Sequence, residues 1–61
     1  MTPADLLAWQ SRCGYSKAAA AKALGVSYPG YRHWLDGERE IPPWVPILCR
    51  YIERYGPLEA A

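Results

Sequence analysis

The chain has 61 residues, 51% of them hydrophobic, and a formal net charge of +1. That composition excludes a disordered chain and allows one domain with one small core, in which close helix packing or dimerisation must help stability. It also excludes an argument for nucleic acid from total charge, so only the placement of the charges bears on that question.

The first helix opens at Met1 to Ala4. Thr2 is suited to the N-cap, Pro3 to the first helical position, and Asp5 completes a capping-box pattern. Leu6, Leu7, Trp9, Gln10 and Cys13 recur at helical spacing, and Leu6, Trp9 and Cys13 are assigned to the core. Trp9 has a partner surface as its alternative. Gly14 ends the helix. Arg12 in the last turn suits the helix dipole, and a phosphate contact is its other reading. Cys13 and Cys49 are the only cysteines, each on an apolar face. Buried thiols are the expectation, with a disulfide as the alternative.

Residues 17–37 form the stretch with a mechanism. Ser16 caps a second helix over about 17–24, and Ala18 to Leu24 are strong helix formers. Gly25 supplies the left-handed position that ends it. Val26 follows as a buried turn residue, and Ser27 caps a third helix that runs to Asp36 and stops at Gly37. Ala21 is small enough to let the two helices cross closely. This is a helix-turn-helix pattern. Residues 12–35 carry Arg12, Lys17, Lys22 and Arg32 with no acid, so positive charge gathers on the motif. An ordinary solvated surface explains the same charges. Lys17 in a first helical turn opposes the macrodipole, which suggests a negative partner nearby. In the third helix Tyr31 and Trp34 are assigned inward, and Tyr28, Arg32 and His33 outward. Pro29 is tolerated in the first turn, and Gly30 removes bulk where backbone would approach DNA.

Ala21, Gly25, the Gly25-Val26-Ser27 turn and the Trp34-Leu35-Asp36-Gly37 ending resemble the Cro and phage-repressor (Xre-like) family of helix-turn-helix DNA-binding proteins. The resemblance runs from about Leu6 to Ile52. Tyr31 stands where the family usually has a smaller Val or Ile, and Tyr28, Pro29 and Gly30 where polar residues are common. The resemblance implies an all-α, lambda-repressor-like bundle of four to five short helices, with the third helix in the major groove. It makes Tyr28, Pro29, Arg32 and His33 the candidates for base readout. Lys17, Ser27, Arg39 and Arg12 become the candidates for the DNA backbone. Arg39 has local pairing with Glu38 or Glu40 as its alternative, and His33 has a solvent-facing role.

A fourth helix spans about 43–55, with Pro46 confined to its first turn and Gly56-Pro57 as the stop. Its apolar residues cover an arc of about 200°, roughly twice what one core contact needs. Val45, Leu48, Cys49 and Ile52 suffice for the core. Trp44, Ile47, Tyr51 and Tyr55 remain for a second surface, a homodimer interface. The tail from Leu58 to Ala61 is expected to fray.

The expectation is a single domain over 1–61 that binds a palindromic operator in double-stranded DNA as a small phage-type or mobile-element repressor, by promoter occlusion. Its alternatives are an antitoxin whose extra apolar face binds a toxin, and a DNA-targeting adaptor of a recombination or packaging complex. A purely structural interaction domain is the plainest reading. No catalytic grouping, cofactor, metal site, fused effector domain, signal peptide or bilayer-spanning run is readable, so a cytoplasmic non-enzyme is expected.

Overall fold

Each of the first three helices begins on a hydroxyl that accepts a hydrogen bond from a free backbone N–H. Thr2 Oγ1 accepts from the Asp5 N–H at 3.1 Å, and Asp5 Oδ2 accepts from the Thr2 N–H at 3.0 Å, a full capping box. Ser16 Oγ accepts from the Ala19 N–H at 3.1 Å, and Ser27 Oγ from the Gly30 N–H at 3.2 Å. The computed structural model describes residues 1–56, with α1 (Pro3–Cys13), α2 (Lys17–Leu24), α3 (Tyr28–Leu35) and α4 (Trp44–Tyr55) in that order. The architecture is a small all-α bundle of four helices. The expected frayed tail lies outside the described residues.

Two boundaries differ slightly from the sequence reading. The third helix ends at Leu35, with Asp36 as its C-cap and Gly37 in the left-handed region at φ 77°. The fourth begins at Trp44, with Pro43 at the N-cap, so Pro46 falls in the first turn, where no intrahelical N–H is lost. Between α2 and α3, Gly25 at φ 74° lets the Val26 N–H reach back to the Ala21 carbonyl at 3.0 Å. Val26 is half-buried rather than buried.

The core is built from Leu6 and Trp9 of α1, Ala20, Ala21 and Leu24 of α2, Tyr31 and Trp34 of α3, and Val45, Cys49 and Ile52 of α4. Leu48 and Cys13 pack at its edge, half-buried. The small side chains at Ala20 and Ala21 leave room for the rings of α3. Two polar ties cross the core. The Trp9 Nε1–H donates to the Cys49 carbonyl at 3.1 Å, and the Tyr31 hydroxyl donates to Gln10 Oε1 at 2.9 Å. Burial pushes the Tyr31 phenol up to about 12, which keeps it a donor. Tyr31→Phe strands the Gln10 carbonyl oxygen and is expected to cost about 1–3 kcal/mol. A urea midpoint equal to that of the parent protein would show that Gln10 finds another partner.

Cys13 and Cys49 are free thiols. Burial raises both, Cys49 to about 12, which disfavours the reactive thiolate. No helix among the described residues is long and apolar enough to cross a membrane.

Candidate nucleic-acid interface

With Tyr31 and Trp34 turned into the core, the opposite side of α3 is left to Tyr28, Pro29, Arg32 and His33. These four, with Asp36 and Glu38, line one open groove. Tyr28 and Arg32 are exposed and His33 is half-buried. The Arg32 guanidinium carbon sits 5.9 Å from the Tyr28 ring centroid, so the two form a cation–π pair one helical turn apart. Hydrogen bonding to Tyr28 and the nearby Asp36 carboxylate push the guanidinium up.

His33 has a partner that sequence spacing did not reveal. Its Nδ1 meets Glu38 Oε2. The pair arises from the helix end: with Gly37 left-handed, the Glu38 N–H folds back to the His33 carbonyl at 2.9 Å, and the Arg39 N–H reaches the same oxygen at 3.3 Å. Glu38 is five residues from His33, outside the three-and-four spacing that joins side chains along a helix. The acid next to Arg39 therefore belongs to His33. Arg39 is exposed and forms no salt bridge among the described residues.

Lys17 is exposed at the first position of α2 and lines a second groove with Pro3, Ala4, Leu7, Leu35 and Asp36. Asp36 borders both grooves, which places Lys17 next to the C-terminal end of α3. Ser27 Oγ accepts from the Gly30 N–H with one lone pair and keeps its hydroxyl proton to donate. Gly30 has a local reason as well. A Cβ built there would stand 3.0 Å from Ser27 Oγ, so the glycine makes room for the capping hydroxyl.

Arg12 does not join this group. Its Nε donates to Glu53 Oε1 at 2.6 Å, across to α4, in a cleft shared with Asp5, Ala8 and Pro46. The hydrogen bond to Glu53 pushes the guanidinium up, and the same contact holds the Glu53 carboxyl below its usual range. Arg12 thus ties α1 to α4 as a strap and does not line the α3 groove. The pair's stabilisation is present above the ordinary glutamate range and fades as pH falls through the lowered Glu53 value. Both groups face solvent, so Arg12→Ala is expected to leave the denaturation midpoint nearly unchanged. A large loss in a urea titration would show the strap to be stronger than an exposed ion pair.

The charge at the α3 groove is mixed, with Arg32 facing Asp36 and Glu38. Lys17, Lys22 and Arg39 are exposed cations outside that groove's lining.

Elsewhere on the molecule, α4 exposes Trp44 (44%), Ile47 (68%), Tyr51 (44%) and Tyr55 (65%). Trp44, Ile47, Leu48 and Tyr51 line an apolar groove, and the Tyr51 and Tyr55 rings lie 4.9 Å apart. Trp44 also stands edge-on to the core ring of Trp34 at 6.0 Å. The patch is therefore continuous with the core through one aromatic contact.

Comparison with known proteins finds no matching family model, no matching curated protein and no matching solved structure.

Proposed function

We propose that this chain is a sequence-specific double-stranded DNA-binding regulator, a small repressor that occludes a promoter. The observation that carries the reading is the helix-turn-helix geometry. Buried Ala20 and Ala21 bring α2 against α3, and α3 keeps Tyr28, Pro29, Arg32 and His33 together on its outward side. An α-helix fits the major groove, where base edges differ in their donors and acceptors. Arg32, ordered by Tyr28, suits the O6 and N7 acceptors of guanine. His33 offers a second hydrogen-bonding group beside it, and Tyr28 a ring for a thymine methyl. Lys17, Ser27 and Arg39 surround this face as phosphate ligands.

A second copy of the chain completes the unit. The exposed α4 patch pairs with itself across a two-fold axis and sets two α3 helices about 34 Å apart, one helical turn of DNA. A toxin or another heterologous protein on the same patch is the competing occupant.

Two measurements test the DNA contacts. Arg32→Ala is expected to reduce discrimination between cognate and scrambled DNA by about 1–3 kcal/mol, and Lys17→Ala to weaken both DNAs alike. Equal losses on both DNAs for Arg32→Ala would move Arg32 to the phosphate class. In a salt titration, Lys17 and Arg39 from two subunits neutralise about four phosphates, giving a slope of log affinity against log salt of about 3–4 in magnitude. Arg12→Ala should leave that slope unchanged, since Arg12 is held by Glu53. A flat salt response would favour a protein-binding role.

A further inference from the structure

We infer that Glu38 decides what His33 reads, by holding the imidazole proton on Nδ1 and leaving Nε2 as a hydrogen-bond acceptor in the α3 groove. The inference rests on the proposed function and deepens it.

An ionised carboxylate only accepts hydrogen bonds, so the ring nitrogen that meets Glu38 Oε2 must carry the proton. In the neutral ring the other nitrogen is then the acceptor, and its tautomer is set by the bond the first one makes. Among the described residues His33 Nε2 has no hydrogen-bond partner, and no buried side-chain nitrogen or oxygen lacks one, so Nε2 meets solvent. His33 lines the groove that Tyr28, Pro29 and Arg32 share. The charged and titratable groups around the ring are Arg32 and Tyr28 of α3, with Asp36, Glu38 and Arg39 of the following turn.

An acceptor in the major groove selects a base that presents an amino group, the N4 amino of cytosine or the N6 amino of adenine. Arg32, one residue earlier, is donor-only and selects guanine. Adjacent residues of α3 thus carry opposite hydrogen-bonding roles, and the pair specifies more than either alone. Glu38 touches no base in this scheme. It is a positioning residue, held in place by the Gly37 turn.

The test uses two readouts on the full chain, for the parent and for Glu38→Ala. His33 is the only histidine, so its ring nitrogens give one unambiguous set of nitrogen-15 resonances. On the high-pH plateau of a titration of these resonances, where the ring is neutral, the parent is expected in the Nδ1–H form. Glu38→Ala should shift it toward the Nε2–H form that free imidazole favours in water. In selection from random duplexes, Glu38→Ala should reduce the preference for an amino-bearing base at one position per half-site by about fivefold or more. Binding to scrambled DNA should tighten, because a negative charge leaves the interface. A parent ring already in the Nε2–H form, or a ring unaffected by Glu38→Ala, overturns the positioning role. Parallel loss on cognate and scrambled DNA overturns the specificity role. If the parent selects no DNA, the specificity role falls with the proposed function, and the ring spectrum still decides the positioning role alone.

Discussion

Trp9→Ala is expected to unfold the domain. Trp9 is fully buried and donates its Nε1–H to the Cys49 carbonyl, so it fills the space between α1 and α4 and ties them together. Its ring also meets Tyr15 edge-on at 5.7 Å, which anchors the loop that leads into α2. Truncating a buried Trp to alanine costs about 3–5 kcal/mol. At about 0.05–0.15 kcal/mol per residue, a chain of this length holds only about 3–9 kcal/mol in total. The loss is therefore comparable to the whole stability. Thermal denaturation followed by circular dichroism is the check, with the exposed Leu7→Ala as control. The control should stay within about 0.5 kcal/mol of the parent. A cooperative Trp9→Ala transition near the parent's midpoint would mean that the α1–α4 contact is not central to the fold.

The second large effect is expected at Tyr51→Glu, which should convert a dimer to a monomer and greatly reduce operator affinity. Four large apolar residues of α4 stand 44–68% exposed in one stripe. Trp44, Ile47, Leu48, Tyr51 and Tyr55 recur at the three-and-four spacing of a helix that packs on a helix. Monomers avoid contiguous patches of this kind, and Tyr and Trp are favoured anchors of interfaces. Glu at position 51 places a charge in the middle of the stripe and leaves α3 untouched. Across a two-fold axis that charge would also face its own copy. Sedimentation reads the mass and a DNA titration reads the affinity. A parent protein that is monomeric at tens of micromolar and still binds operator tightly would contradict the two-fold arrangement. Capture of the patch by a heterologous protein would point to the antitoxin reading instead.

The helices were legible because their signals are local. Thr2, Ser16 and Ser27 cap, and Gly14, Gly25 and Gly37 take the left-handed positions that follow each helix. The division of α4 was legible too. Val45, Cys49 and Ile52 are buried and Trp44, Ile47, Tyr51 and Tyr55 are exposed, as projection at 100° per residue requires, while Leu48, also assigned to the core, is half-buried at its edge and lines the outer groove. What sequence could not supply were side-chain partners set by tertiary approach. Arg12 and Glu53 are 41 residues apart, so no spacing rule joins them. Gln10 falls within the apolar repeat of α1 with no partner assigned from sequence, and the approach of Tyr31 makes it a buried acceptor. Glu38 was legible as a surface acid beside Arg39, and the Gly37 turn redirects it to His33. These misses share a cause: a charged or polar side chain has several partners within reach, and the chain path chooses among them. They also alter the functional reading. Arg12 is paired with an acid of α4, and the one histidine meets a carboxylate.

In the proposed function the outward side of α3 reads double-stranded DNA. Selection of bound sequences from a pool of random duplexes, with the full chain at moderate salt, tests it most directly. The account predicts enrichment of one motif with two-fold symmetry, its half-sites about 10 base pairs apart, and a guanine contact in each half that Arg32→Ala relaxes. A recovered pool indistinguishable from the input, while the protein remains folded, would contradict the claim.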